Sequence, residues 1–342
     1  MNLLQIKKRN IIFNYINSMN INLKAVTIGD IKGIGIEILI DLWKKKNKEL
    51  FPFILITNLS LFNKFLSKNK YKIDILQIKK IENIKKIQKN KFLVFDIKAK
   101  NNDQNTYNSI LKAYELTKKN QCKSIITLPI NKEKISKKID KNFLGHTELF
   151  KKLDKKNEVN MFFYNKKIIV VTLTTHIPIK DVPNFFKSKN KIFNKICLIN
   201  DTLKKDFNIK KPKLIIAGIN PHSGENGLIG KEELNFLNPT IKKLKKYGIN
   251  IEGPFSGDTL FTKTNIKKYD CFICNFHDQA LIPFKLISNF EGVNFTGSLD
   301  IIRTSPDHGP AYDIVGKKIA KKNSLFETFA LTNKIYNNRN KR

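Results

Sequence analysis

A chain of 342 residues is long enough to bury a substantial core, which excludes a small scaffold stapled by disulfides and points to two domains or one large α/β unit. A hydrophobic share of 41% with 10% aromatic residues excludes disorder for the bulk of the chain. The net charge of +35 arises from lysines spread in pairs such as Lys79-Lys80 and Lys204-Lys205 among asparagine and isoleucine, not from arginine clusters. It therefore reads as a compositional bias that gives a solvated surface and helps to attract an anionic substrate, and it argues against a specific nucleic-acid partner.

Met1 to Ser18 holds no acidic residue, one arginine and one serine. Two readings stand open for it, a transit peptide or a dispensable extension with Met19 as the start, and residues 1–23 are set apart as an N-terminal extension. Short β-rich runs then recur at Ala25–Ile28, Phe53–Thr57, Phe92–Phe95, Ser124–Thr127, Ile168–Leu173, Leu214–Ala217 and Cys271–Asn275. Between them, Asn108–Lys119 and Glu232–Tyr247 space apolar residues at three and four, predicting amphipathic helices. The alternation predicts mostly parallel strands covered by helices on both faces. The lysine-rich stretch from Lys64 to Lys91 predicts only a solvated helical or loop surface. There is no internal repeat and no Pro/Gly/Ser-rich linker, so any two lobes share crossovers. Four scattered cysteines without a secretory signal predict a reducing cytoplasm without disulfides, and no apolar run reaches the roughly 18 residues of a membrane span.

The five histidines all fall in turn-rich segments: Gly145-His146-Thr147-Glu148, Thr174-Thr175-His176-Ile177-Pro178, Asn220-Pro221-His222-Ser223-Gly224-Glu225, Phe276-His277-Asp278-Gln279 and Pro306-Asp307-His308-Gly309. Ligands of α/β sheets bind at the carboxyl ends of strands, so this placement favours a functional role over the usual structural one. His176, His222 and His277 each follow a predicted strand, and three imidazoles at neighbouring strand ends could hold one divalent ion with positions open for substrate. Asp278 and Asp258 are candidates to orient those imidazoles. Cys271 and Cys274 form C-x-x-C ahead of His277, but without a second such pair they read as a buried strand rather than a zinc knuckle. The glycine-rich turn Thr27–Glu37 lacks the G-x-G-x-x-G spacing; tight strand-to-helix packing is favoured, with a phosphate cradle as the alternative.

Taken together, Thr27–Glu37, Gly145–Glu148, Thr174–Pro178, Ala217–Glu225, His277–Lys285 and Gly292–Gly316 resemble, in order, the signature blocks of the 4-hydroxythreonine-4-phosphate dehydrogenase family, from about Lys24 to Ala330. The resemblance implies two α/β/α subdomains with mostly parallel sheets, similar to isocitrate and isopropylmalate dehydrogenases, with the active site in the cleft between them. The approximate division is 24–135 with 285–342 for one and 136–284 for the other, the latter carrying the metal site and dimer interface. By resemblance, His176, His222 and His277 bind one divalent ion (zinc, magnesium or cobalt) per active site, in a homodimer whose subunits share that site. His146, Thr147, Lys285, Asn294 and Arg303 would contact a phosphorylated substrate, a task that suits their chemistry. Asp307-His308-Gly309 through Gly316, including Asp313, resembles the adenosine-binding loop of isopropylmalate dehydrogenases, which implies NAD or NADP without a Rossmann fingerprint.

The implied reaction is oxidation of 4-phosphooxy-L-threonine and decarboxylation of the 3-oxo acid, in vitamin B6 biosynthesis. Asp278 and Asp258 would assist, and Lys285 is open between proton transfer and phosphate binding. The rival of the same chemistry acts on a phosphorylated threonate or a dihydrodiol; the rival of another class is an inactive basic binding protein. Five positions depart from the family pattern: Ile31, Ile36 and Asp300 stand for usual prolines, Ala280 for a glycine and Pro310 for a threonine.

Overall fold

The structure, a computed structural model, describes residues 22–50, 52–84 and 90–341. The readings of Met1–Ser18 and of Met19 as a start lie outside the described residues. Twelve strands are introduced in chain order: β1 (Lys24–Thr27), β2 (Phe53–Thr57), β3 (Ile75–Ile78), β4 (Phe92–Asp96), β5 (Ser124–Thr127), β6 (Asn160–Asn165), β7 (Ile168–Thr172), β8 (Leu214–Ala217), β9 (Ile251–Phe255), β10 (Cys271–Cys274), β11 (Val293–Gly297) and β12 (Arg303–Pro306). They form one sheet in the order β3-β4-β2-β1-β5-β12-β11-β6-β7-β10-β8-β9. Pairing is parallel except that β6 runs antiparallel to β7 and β11, and β11 to β12.

All seven predicted runs are strands, to within a residue at each end. The five others are not predicted: β12 reads Arg-Thr-Ser-Pro yet is buried throughout, β9 contains Gly-Pro and lies at the sheet edge where a missing N–H is tolerated, and β3, Ile-Leu-Gln-Ile and mostly half-exposed, corrects the reading of Lys64 to Lys91 as helix or loop alone. The predicted helix Asn108–Lys119 starts earlier, at Asn102, because the Asn101 side chain caps the Gln104 N–H at 2.9 Å. The predicted Glu232–Tyr247 is a π-helical turn, Glu233–Leu237, running into the α-helix Asn238–Lys246.

Alternate residues of the parallel strands face two layers. On the β1–β5 side, Val26, Leu55 and Ile126 join one core while Ala25, Ile54 and Ile125 join another. On the β7–β10 side, Val171 and Ile273 face one core and Val170 and Phe272 the other. Each fully buried aliphatic side chain contributes about 1.5–3 kcal/mol. The last helix, Asn323–Asn340, joins the two sides, with Leu325 and Phe329 in one core and Leu331 and Ile335 in another.

The glycine-rich turn after β1 serves packing. A Cβ on Gly29, whose φ is +66°, would meet the Pro129 carbonyl at 2.7 Å, and one on Gly33 would meet Pro310 at 2.8 Å. Cys271 and Cys274 are free thiols buried in β10, as read from the sequence, and burial pushes both well up. No helix among the described residues is long and apolar enough to cross a membrane.

Candidate active site

A cavity of about 270 Å³ opens where β5, β6, β11 and β12 meet. It gathers His146, Thr147, Asn294 and Arg303 with His176 and His277, and Asp307, His308 and Gly309 close another side. Nine of the residues singled out from the sequence thus line one space, although they are scattered over more than 160 positions of chain.

Arg303 is its electrostatic centre. The side chain is only 4% exposed, and its Nε and Nη2 donate to Thr127 Oγ1 at 3.1 and 2.7 Å while Nη1 donates to Thr296 Oγ1 at 3.0 Å. Burial pulls the guanidinium down to about 10, so it remains charged at neutral pH. Its hydrogen bonds go to neutral hydroxyls, which hold the fork without neutralising it. A buried cation of this kind is costly until an anion arrives.

His146 opens the helix His146–Leu153 beside it, and its ring stacks on Phe150 with centroids 6.4 Å apart, the same ring that the Arg303 guanidinium overlies at 5.9 Å. Burial, then the Arg303 and Lys132 charges, drive the imidazole well below its usual range, so it is neutral. Its Nε2 and the Oδ1 of Asn294 are buried without a protein partner. The guanidinium, opposed in the cavity by the Glu148 charge but hydrogen-bonded only to hydroxyls, can face an anion, while the orphaned Asn294 Oδ1 calls for a donor on the same ligand.

On the other side, the rings of His176 and His277 stand 6.0 Å apart. His277 Nδ1 lies 2.6 Å from Asp278 Oδ1, a contact that fixes the ring and leaves Nε2 for a ligand, and His176 Nδ1 lies 4.0 Å from Glu148 Oε1. Burial, with help from Lys132, lowers His176 and favours its neutral, ligating form.

His222 does not line the cavity. It follows β8, next to β10 in the sheet, in a turn where His222, Ser223, Gly224, Glu225 and Asn226 all have positive φ. Such a run is strained for L residues. Buried Glu233 holds the start of that turn, accepting from the Ile219 and Asn220 N–H groups at 2.7 Å each. Asp258 accepts from Ser256 Oγ at 2.5 Å, and this bond, with His222 nearby, lowers its carboxyl. Among the described residues no three His, Cys, Asp or Glu side chains converge as an ion would require.

Lys285 Nζ stands 3.3 Å from both the carbonyl and Oδ2 of Asp307, at the margin of the cavity. Burial raises the Asp307 carboxyl against the opposing pull of Lys285. Asp313 and Gly316 lie outside the cavity, on a loop that docks against the glycine-rich turn: Ile34 N–H donates to Pro310 O, Gly316 N–H to Glu37 Oε2 (both 2.9 Å), and Tyr312 OH to Asp30 Oδ2 at 2.6 Å. Sequence reasoning assigned no role to Thr127, Thr296, Lys132 or Glu148. Thr127 and Lys132 flank the end of a predicted strand and Glu148 belongs to the Gly145–Glu148 block, which were usable signals; Thr296 had none.

Residues 49–332 match the family described as pyridoxal phosphate biosynthetic protein PdxA. The chain belongs to the PdxA family. Among its relatives, 4-hydroxythreonine-4-phosphate dehydrogenase of a Sulfurihydrogenibium species is 36% identical over 90% of this chain and 96% of its own. D-Threonate 4-phosphate dehydrogenase of Salmonella typhimurium is 31% identical over 88% of this chain and 95% of its own. A crystal structure of 4-hydroxythreonine-4-phosphate dehydrogenase from Klebsiella pneumoniae superposes with a TM-score of 0.81 at 28% identity, covering 93% of this chain and 98% of that one. Membership in PdxA makes the protein an oxidoreductase of pyridoxal phosphate biosynthesis, and a family of dehydrogenases implies a nicotinamide cofactor.

Proposed function

We propose that the protein oxidises 4-phosphooxy-L-threonine at its secondary hydroxyl with NAD or NADP, giving a 3-oxo acid that loses carbon dioxide to yield 3-amino-2-oxopropyl phosphate. The observation that carries this reading is the buried Arg303 fork facing the orphaned His146 Nε2 and Asn294 Oδ1, a set suited to a small phosphorylated acid. With Thr147, Arg303 and His146 anchor the substrate's phosphate, while Asn294 Oδ1, an acceptor, takes a hydrogen bond from a donor of the substrate such as its hydroxyl or amino group. Lys285, salt-linked to Asp307, either transfers a proton or completes the phosphate site.

The donor chemistry around His176 and His277 fits a divalent ion, with Asp278 orienting one ring and burial keeping the other neutral. We assign His176 and His277 of one chain and His222 of a second copy to that ion, zinc, magnesium or cobalt. When bound, the ion would acidify the substrate hydroxyl and stabilise the enolate left by decarboxylation, while the nicotinamide accepts the hydride. The protein's part is to fix the phosphate at Arg303 so that the hydroxyl lies at the imidazoles, with Asp258 and Asp278 holding their rings. Residues 307–317, Asp307, His308, Gly309, Asp313 and Gly316 among them, are proposed to seat the adenosine, with the glycine-rich turn as their support.

A homodimer is supported by exposed apolar side chains on the helix His277–Ser288 and just beyond it: Ile282 and Leu286, one turn apart, and Phe290 after the helix end, at 62%, 78% and 58% exposure. The two proposed subdomains, 24–135 with 285–342 and 136–284, would then flank the cleft, and the free thiols support a cytoplasmic location. The test is NAD(P)H formation by purified protein. Turnover of 4-phosphooxy-L-threonine that stops with chelator and returns with metal is expected; preferential turnover of D-threonate 4-phosphate would reassign the substrate.

A further inference from the structure

Of the three strands that precede the histidines, β10 and β8 stop pairing before their turns while β10 and β7 continue to bond through Thr174, and one side-chain amide takes over where the β10–β8 ladder stops. β10 pairs with β8 only as far as Ile273 with Ile216. Two residues further on, Gln279 Oε1 accepts from the Asn275 N–H at 2.8 Å while its Nε2 donates to the Gly218 carbonyl at 2.8 Å. The Gln279 amide thus stands where a peptide group of a continuing strand would have stood, with the same donor and acceptor. Asn275, fully buried, extends the junction: its Nδ2 donates to the Ala217 carbonyl at 2.9 Å, and its own carbonyl accepts from the Thr174 hydroxyl at 2.6 Å and the Thr174 N–H at 3.1 Å.

Each arm of this junction ends a few residues before a histidine. Thr174 leads to His176, Ala217 and Gly218 lead to His222, and Asn275 leads to His277, two residues before Gln279 on the first turn of its helix. Burial alone does not require such a residue. A methionine of the same length would fill the volume, but it would leave the Asn275 N–H and the Gly218 carbonyl without partners.

We propose that Gln279 is a positioning residue for metal binding: its amide ties the strand end that presents His277 to the strand end that presents His222, which on our assignment serve the two different ions of the dimer, and so fixes the direction in which each imidazole is offered. This rests on the reading of those histidines as ligands. Ligand geometry tolerates little error, and groups that orient ligands typically change metal affinity by about 10- to 100-fold when removed.

The test titrates the full-length, metal-stripped protein with cobalt(II), reading affinity by calorimetry and coordination geometry from the visible absorption bands. Wild type should bind tightly with a defined spectrum. Gln279→Met should lower the metal-free melting temperature, because two backbone groups lose their partners, and should in addition bind about 10- to 100-fold more weakly, with altered band intensities. Gln279→Glu, which keeps the acceptor for Asn275 but sets an acceptor against the Gly218 carbonyl, should fall between the two. Gln77→Met, which removes a remote exposed amide bonded to Asp96, should match wild type. Wild-type cobalt affinity and spectrum in both Gln279 variants would overturn the proposal with the metal reading intact. A lowered melting temperature with an unchanged bound spectrum would overturn it too, assigning the amide to stability alone. Failure of wild type itself to bind cobalt would overturn the metal reading and the proposal together.

Discussion

The two sides of the cavity are built in opposite ways. Around Arg303 and His146 the polar groups are buried and fixed by hydroxyls and an aromatic ring of the same chain. Around His176 and His277 they are half-exposed, and the third histidine of the set stands apart on a strained turn. The difference teaches that anion recognition is pre-organised before any partner arrives, whereas the ion, on our assignment, is completed by a second copy.

The largest effect should come from dividing the histidines between chains. His222→Ala and His277→Ala should each be inactive alone, and mixed after unfolding and refolding they should recover about a quarter of wild-type turnover, because half of randomly formed dimers carry one intact site of two. His176→Ala mixed with His277→Ala should recover nothing. Recovery in the second mixture but not in the first would show that the division of ligands is wrong.

On the anion side, Arg303→Lys keeps charge but loses the planar fork, and kcat/KM should fall by about 100-fold, on the order of 3 kcal/mol, with cobalt content unchanged. An unaltered kcat/KM would remove Arg303 from the site. Lys285→Arg separates that residue's two roles: retained kcat with a modest rise in KM marks phosphate binding, whereas a collapse of kcat marks proton transfer.

The smallest effect is on stability. Because the folded His146 binds its proton far less readily than an ordinary histidine near 6.5, the unfolded chain takes up more protons below that pH, and stability falls as pH drops. His146→Gln should flatten the decline between pH 6.5 and 5 by up to about 1.4 kcal/mol per pH unit. Parallel curves of melting temperature against pH for the two proteins would show that His146 does not carry the effect.

What could be read from the sequence followed the same divide. Apolar runs such as Phe53–Thr57 and Leu214–Ala217 announced their strands because both faces of a parallel sheet are covered. β12 did not, since its Arg-Thr-Ser-Pro is buried for the sake of a ligand site and not of a core. His146, Arg303 and Asn294 were legible as parts of family blocks, but Thr127 and Thr296, which hold the guanidinium, carry no more signal than any threonine. The relation of His222 to the other imidazoles was not legible, because strand order brings β7, β10 and β8 together while the positive-φ turn decides where the ring goes.

The sheet order also governs how this protein is made. Strands β11 and β12 sit at the middle of the sheet but are translated near its end, so β5 and β6 both emerge from the ribosome as open edges. At 5–20 residues per second, the interval from Thr127 to Arg303 is on the order of ten to forty seconds. During that time the growing chain presents unpaired, apolar strand edges in a crowded cell, where a stray strand could pair with them. Sealing that seam and installing the arginine of the anion site are one event, so a nascent chain stalled before residue 303 would lack Arg303 and expose unpaired strand edges at once.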